Sequence, residues 1–184
     1  MFAHPLGDGA EVRPLEPWQA EEFFTHVERI RGHLSPWIPF AHTVRDVDGA
    51  RRLLQRMADA LAADSGRFNG IWVDDKLAGG VLFRTFDAAT GVCEVGVWIE
   101  PEAEGRGLIT RAATWMIDYA VRVRGMSRVE WRTDPANVRS SAVARRLGMT
   151  REGVLRSSFV LGGERHDTEV WAVLADEWLT KTGS

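Results

Sequence analysis

Glycines next to a helix start can hold a phosphate, and this chain carries such a loop at Gly105, Arg106, Gly107, Leu108, Ile109 and Thr110. The loop follows a strand-like run from Val92 to Ile99 and leads into a helix-like run from Arg111 to Arg124. Backbone N–H groups at a helix start have no intrahelical acceptor, and the helix dipole is positive there. Both suit an anion, and a diphosphate carried by a cofactor is the expected one. A second chemistry-bearing stretch is Asp134 to Ser141, which includes Asn137 and Ser140. It lies between the strand-like run Arg128 to Thr133 and a short helix-like run, Ala142 to Leu147, that stops at Gly148.

Two other phosphate devices are excluded. No Gly-x-x-x-x-Gly-Lys-Ser/Thr occurs, so a Walker-type loop is absent. Position 110 is Thr, so the third glycine of the dinucleotide fingerprint is missing.

The elements that must position these loops can be read from pattern. Val12 to Leu15 predicts a short strand, and Pro17 opens a helix over Trp18 to Arg31 that Gly32 should end. His33 to Arg45 predicts a long loop. Asp46 to Ala63 predicts an amphipathic helix, with Asp46 as cap and Val47, Ala50, Leu53, Leu54, Met57 and Leu61 on one face. Phe68 to Val73 and Lys76 to Phe86 predict a hairpin turning at Asp74-Asp75, and Met149 to Val160 with His166 to Val173 a second one turning at Gly162-Gly163. The sum is an α+β fold, a mixed but mainly antiparallel sheet flanked by helices.

Bulk properties set bounds. A chain of 184 residues suits a single domain over 1–184 with a full core. No apolar run approaches the roughly 20 residues that span a bilayer, so no membrane partner is expected. Met1 to Pro5 lacks the basic start and apolar core of a secretory leader. A lone Cys93 leaves no internal disulfide and no multi-cysteine metal site; inside an apolar strand it reads as a small hydrophobe. A cytoplasmic setting and no metal are the expectations. Residues 104–151 hold ten arginines and four acids, and the remainder is net acidic. The basic segment matches the phosphate loop, and the acidic remainder could attract a cation. The overall charge of −3 argues against direct nucleic-acid binding.

In order, the chain shows a strand, a glycine loop, a long helix, a strand, Asn-x-x-Ser, a short helix, Leu147-Gly148-Met149 and Glu152-Gly153. That order resembles the GNAT superfamily of acyl-CoA-dependent N-acyltransferases. Leu34-Ser35-Pro36-Trp37-Ile38-Pro39, Glu94-Val95-Gly96-Val97-Trp98 and Gly162-Gly163-Glu164-Arg165-His166-Asp167 resemble the branch that acetylates N-termini of ribosomal proteins. The likeness runs from about Ala10 to Leu179. It implies a GNAT fold with about seven strands. It also implies acetyl-CoA or another acyl-CoA as co-substrate and an amine acceptor, in particular a protein N-terminus. A homodimer is left open.

The resemblance also distributes roles. Acyl transfer from a thioester to an amine needs a held cofactor, a polarised carbonyl, a neutral amine and a proton for the leaving thiolate. The loop from Gly105 to Thr110, with Asn137, would hold the cofactor. Glu104 stands where the family has Gln or Arg, and Ile109 where it has a second small residue. Main-chain N–H groups of Val97, Trp98 and Ile99 would polarise the carbonyl and pair with the extended arm of the cofactor. Ser140 would protonate the thiolate, its competing role being a helix cap. The branch's water-mediated base falls on Phe159, which cannot serve, so Glu94 is the alternative base and His166 and Asp167 are further candidates. Trp37, Ile38 and Phe40, with Pro39, facing Phe159, would line the acceptor pocket. An acyltransferase for a small amine and a non-catalytic acyl-CoA binder are the rival readings.

Overall fold

A computed structural model describes residues 3–183; Met1, Phe2 and Ser184, which belong to the terminal readings above, lie outside the described residues. In chain order the elements are β1 (His4–Gly7), β2 (Ala10–Pro14), α1 (Ala20–Leu34), α2 (Phe40–Thr43), α3 (Val47–Ala62), β3 (Arg67–Val73) and β4 (Lys76–Asp87). There follow β5 (Val92–Ile99), α4 (Leu108–Asp118), β6 (Arg128–Thr133), α5 (Val138–Arg146), β7 (Thr150–Leu161), β8 (Glu164–Leu174) and α6 (Ala175–Thr182). The strands form one eight-stranded sheet in the order β1-β2-β3-β4-β5-β6-β8-β7. Its pairs are antiparallel except β5 with β6. This is the α+β architecture expected, with an additional N-terminal strand, β1.

Each face of the sheet buries its own core. Phe23, Val27 and Ile30 of α1 and Ala50, Leu53 and Leu54 of α3 pack with Phe68, Trp72 and Trp98. On the other face Leu108, Ala112, Ala113, Met116 and Ile117 of α4, Val143 and Ala144 of α5 and Trp178 of α6 pack with Cys93, Val95 and Val129. Strand alternation does the sorting: Cys93 and Val95 turn to one core, and Trp98 to the other.

Several boundaries differ from the sequence reading. Gly32 does not end α1, which runs to Leu34 because buried Leu34 gains more from packing than the glycine loses in propensity. The stretch His33 to Arg45 is not all loop, since it holds the end of α1 and the short α2. The long helix starts at Leu108, earlier than expected, and its last turn, Tyr119–Val123, is a π-turn closed by Arg124 N–H donating to Tyr119 O at 3.1 Å. Helix α5 also starts early, because the Asn137 side chain caps it. Leu61, expected on the apolar face of α3, is exposed. Asp46 does cap α3, accepting from Gly49 N at 2.6 Å. The Asp74-Asp75 turn has both residues at positive φ, 48° and 61°, as a tight hairpin requires.

Candidate active site

The parallel pair β5–β6 is short. Val92, Cys93 and Glu94 face Arg128, Val129 and Glu130; beyond Glu94 no strand among the described residues pairs with that edge of β5. The two strands therefore part and leave an open edge from Val95 to Ile99. A cavity of about 330 Å³ occupies the gap. Val97, Trp98 and Ile99 form one wall, Trp131, Asn137 and Ser140 another, and Trp37 and Ile38 a third. Seven residues singled out in the sequence thus meet in one place, from three separate segments.

The glycine loop lies at the start of α4 beside this cleft, with Glu104 and Ile109 in its lining. Gly105 and Gly107 have φ of +75° and +73°, a conformation that costs other residues about 1–2 kcal/mol. A Cβ built on either meets no atom within 4 Å, so open space lies over the loop. Among the described residues no backbone N–H from Gly105 to Thr110 donates to another backbone group, and no side chain caps α4. These are the features an anion cradle needs, and a diphosphate fits them. Leu108 itself points into the core. Arg106 and Arg111 turn to the β1–β2 turn, Arg106 Nη2 donating to Asp8 O at 3.0 Å and Arg111 Nη2 to Asp8 Oδ2 at 3.2 Å. Their charges stay near the loop while the side chains tie it to the sheet edge.

Ser140 is not the cap of α5. Asn137 is: its Oδ1 accepts from Ser140 N at 3.1 Å. The Ser140 hydroxyl instead accepts from the indole N–H of Trp131 at 2.9 Å. With one lone pair occupied, the hydroxyl keeps its own O–H to donate into the cleft. Trp131 was not among the expected site residues. Its place beside Val129 on the apolar side of an alternating strand, Arg128–Thr133, reads as core, and it is core as well.

Glu104 bridges the mouth of the cleft. Arg139 of α5 pairs with its Oε2 at 2.5 Å, and His33 Nε2 lies 3.3 Å from its Oε1. The acid near the phosphate loop is thereby partly neutralised.

Three expected site residues stand elsewhere. Glu94 lines neither this cleft nor its neighbour. It is buried on β5, 3.1 Å from Arg84 Nη1 and 4.0 Å from Arg132 Nε. Burial pushes its carboxyl up, against the pull of Arg84 and Arg132. It sits where β5 and β6 are still paired, too far down the strand to face the gap. Phe40 packs among Phe23, Phe68 and Trp98 and is core, because α2 turns it inward. Phe159 lies over His166, centroids 5.1 Å apart, rather than against Trp37. Cys93 is fully buried, and burial together with nearby Glu130 pushes its thiol up to about 12, as a small hydrophobe would have it. Tyr119 is away from the cleft, with Arg67 over its ring at 4.8 Å.

A second, wider cavity of about 640 Å³ adjoins the first, sharing Trp37 and Ala136 with it. His42, Asp134, Glu164, Arg165, His166 and Asp167 supply its ionisable lining. Behind the first cleft, Trp98 Nε1 donates to buried His26 Nε2 at 3.2 Å. Burial, then Arg29, lowers the pKa of His26 to about 4, so the ring is neutral and accepts this bond. Nothing in the sequence near His26 marks it as a support for Trp98, since 72 residues separate them.

Comparison with known proteins agrees with this arrangement. A family model described as "Acetyltransferase (GNAT) domain" matches residues 11–150. A relative in Bacillus subtilis (strain 168), "Putative ribosomal N-acetyltransferase YdaF", is 30% identical over 97% of this chain and 98% of its own length. A solved structure described as "Probable acetyltransferase" is 29% identical, covers 97% of this chain and 99% of its own, and superposes with a TM-score of 0.89. The ribosomal L7/L12 alpha-N-protein acetyltransferase RimL, solved with coenzyme A, has the same fold, with a TM-score of 0.88 at 21% identity over 95% of this chain and 99% of its own.

Proposed function

The chain belongs to the acetyltransferase (GNAT) domain family and is an N-acetyltransferase; on that premise we propose that it moves an acetyl group from acetyl-CoA to the α-amine of a protein or peptide N-terminus. The observation that carries the reading is the Trp131–Ser140 pair facing the open edge of β5 across one cleft.

Acetyl-CoA brings the activated acetyl group; the chain's residues hold, orient and protonate. The N–H groups from Gly105 to Thr110 take the diphosphate. The unpaired edge of β5 can add an extended arm as if it were a further strand. The N–H groups of Val97 and Ile99, which alternation turns to the open edge while that of Trp98 faces β4, point hydrogen-bond donors at a carbonyl oxygen that gains charge as the amine adds. Ser140 donates its proton to the departing sulfur. No acyl-enzyme is needed, since the only cysteine is buried away from the cleft. Attack is direct, with donor and acceptor bound together.

The acceptor would enter by the wider cavity and meet the donor at Trp37. Asp134, Glu164 and Asp167 outnumber Arg165 there, which suits a cationic ammonium. An α-amine has a pKa about two units below that of a lysine side chain, a saving of about 2.7 kcal/mol in deprotonation. The relative named for ribosomal acetylation supports the same class of acceptor.

The test is transfer to three acceptors at equal concentration, read by release of the coenzyme A thiol and by product mass. They are a peptide with a free N-terminus, the same peptide N-terminally blocked but carrying lysine, and a polyamine. The free-amine peptide should be modified fastest. Equal rates on the blocked peptide, or faster transfer to the polyamine, would overturn the reading.

A further inference from the structure

We propose that His166, held by Asp134, is the group that takes the proton from the acceptor ammonium; the two proton acceptors that line the first cleft, His33 and Glu104, pair with each other, and Glu104 also with Arg139. The proposal rests on the acetyl-transfer reading above and assigns its missing base.

The geometry comes from two segments that meet only in the fold. His166 lies on β8, past the last residue pair of β8 with β6, Thr133 with Glu169. Asp134 is the next residue after β6. Its Oδ2 is 2.7 Å from His166 Nδ1. A carboxylate at that distance fixes Nδ1 as the protonated nitrogen and leaves Nε2 with a free lone pair. Among the described residues Nε2 has no hydrogen-bond partner, and the ring borders the wider cavity. Phe159, its cross-strand partner on β7, lies over the ring face and limits its rotation.

The dyad is placed between acceptor and donor. Asp134 and Asn137 belong to one turn, with Asn137 N donating to Asp134 O at 2.9 Å. One side of that turn holds His166, and the other leads into Ser140 by the Asn137 cap. Of the other acids, Glu164 lines the wider cavity with no side-chain partner among the described residues, and the remaining three are held or placed elsewhere. Asp167 Oδ1 accepts from Ser157 N at 2.7 Å, Glu104 pairs with Arg139, and Glu94 is outside both cavities. Asp167 therefore already ties down the β7–β8 hairpin, and the His166–Asp134 bond is not needed for that.

The proton balance is complete. His166 Nε2 takes one proton from the ammonium, directly or over one water, and passes it to solvent. The amine lone pair forms the C–N bond; the C–S bond breaks and its electron pair leaves with sulfur. Ser140 gives its proton to that sulfur, and the second proton on nitrogen replaces it. Asp134 is a positioning residue: its Oδ2 holds the ring, while its Oδ1 accepts from Ala136 N at 2.8 Å and shapes the turn.

Two measurements test the dyad. In the whole protein at pH 8, nitrogen NMR of the imidazoles should show the Nδ1–H tautomer for His166, lost in Asp134→Asn; an Nε2–H tautomer in the parent overturns the proposal. For turnover, His166→Gln should be about a hundredfold slower at pH 7, with acetyl-CoA affinity within about twofold. The deficit should shrink below about tenfold at pH 9.5, where an α-amine loses its proton unaided. Asp134→Asn should be about tenfold slower at pH 7 and move the acid limb of the profile, as a purely structural bond would not. His42, Glu164, Arg165 and Asp167 face the same cavity, so both profiles are read against the parent. A deficit equal at both pH values, or one that follows melting temperature, sinks the proposal. If the parent transfers to no peptide, the acceptor reading fails, while the tautomer still decides the dyad.

Discussion

The indole N–H of Trp131 donates to the Ser140 hydroxyl oxygen at 2.9 Å, joining the end of β6 to the first turn of α5. The bond turns an ordinary helix serine into an oriented donor. It comes from the core side, and Trp131 is only 2% exposed, so solvent does not compete for it.

Ser140→Ala should lower turnover by roughly 10²–10⁴ while acetyl-CoA affinity stays largely intact. Because Asn137, not Ser140, caps α5, the melting temperature should hardly move. Trp131→Phe keeps an aromatic ring in the core but frees the hydroxyl, and should lose about tenfold in turnover. Steady-state rates beside calorimetric affinities check both. A Ser140→Ala variant whose rate falls only in step with stability would refute the donor role.

At Gly107 the backbone needs a positive φ, and the space above it is open. Gly107→Ala should therefore cost only backbone energy, about 1–2 kcal/mol. Gly107→Glu adds a negative side chain where the diphosphate is assigned, and should weaken acetyl-CoA binding at least about tenfold beyond the alanine variant. Titration calorimetry separates the two effects; equal affinities for both variants would remove the loop from the cofactor site.

Much of this was legible in the sequence because it is local. Strand alternation, the Asp46 cap and the Asp74-Asp75 turn each depend on neighbours within a few residues, and they fell where expected. So did β5 and β6, whose ends bear the site. The rest depends on contacts across the fold. Glu94 looked reactive as an acid in an apolar strand, but Arg84 and Arg132 come from β4 and β6 to meet it. Phe40 looked like a pocket residue in a loop, yet α2 turns it into the core. Trp131 and His26 gave no signal of their own, and Asp134, though inside a chemistry-bearing stretch, gave none of its tie to His166, since the partners lie 9, 72 and 32 residues away.

Glu94→Gln should keep turnover within about threefold, because the carboxyl faces neither cavity. Its raised pKa means that ionisation costs folded-state energy, so stability is lost, not gained, as pH rises through it. The amide should thus be neutral or slightly stabilising at pH 7. Arg84, half-exposed, is left to solvent rather than stranded. A large drop in rate with an unchanged melting temperature would restore Glu94 as a base.

Glu104→Gln should tighten acetyl-CoA by about three- to tenfold. The change removes an acid beside the phosphate loop and releases Arg139, which now pairs with it. Arg139→Ala should weaken binding, and more at low salt than at high salt, because the charge is solvent-exposed. If Glu104→Gln weakens binding, the acid is positioning the loop rather than opposing the ligand.

His26 gives the fold an acid sensitivity whose sign is fixed. Its folded pKa is about 4, below the ordinary 6.5, because burial and then Arg29 oppose the charged ring. Between those two values the unfolded chain takes up a proton that the folded chain refuses, so stability falls as pH falls. The loss should reach about 2.5 kcal/mol at pH 4.5, or about 5–10 °C in melting temperature. Glu100, 3.8 Å from His26, is itself raised by burial and works in the other direction, which softens the slope. His26→Gln keeps a neutral acceptor for Trp98 and removes the titration. Its melting temperature should drop less than the parent's between pH 7 and 4.5, and the difference isolates His26. Parallel curves for the two proteins would show that the buried ring is not what titrates, and would leave Trp98 without a pH-dependent support.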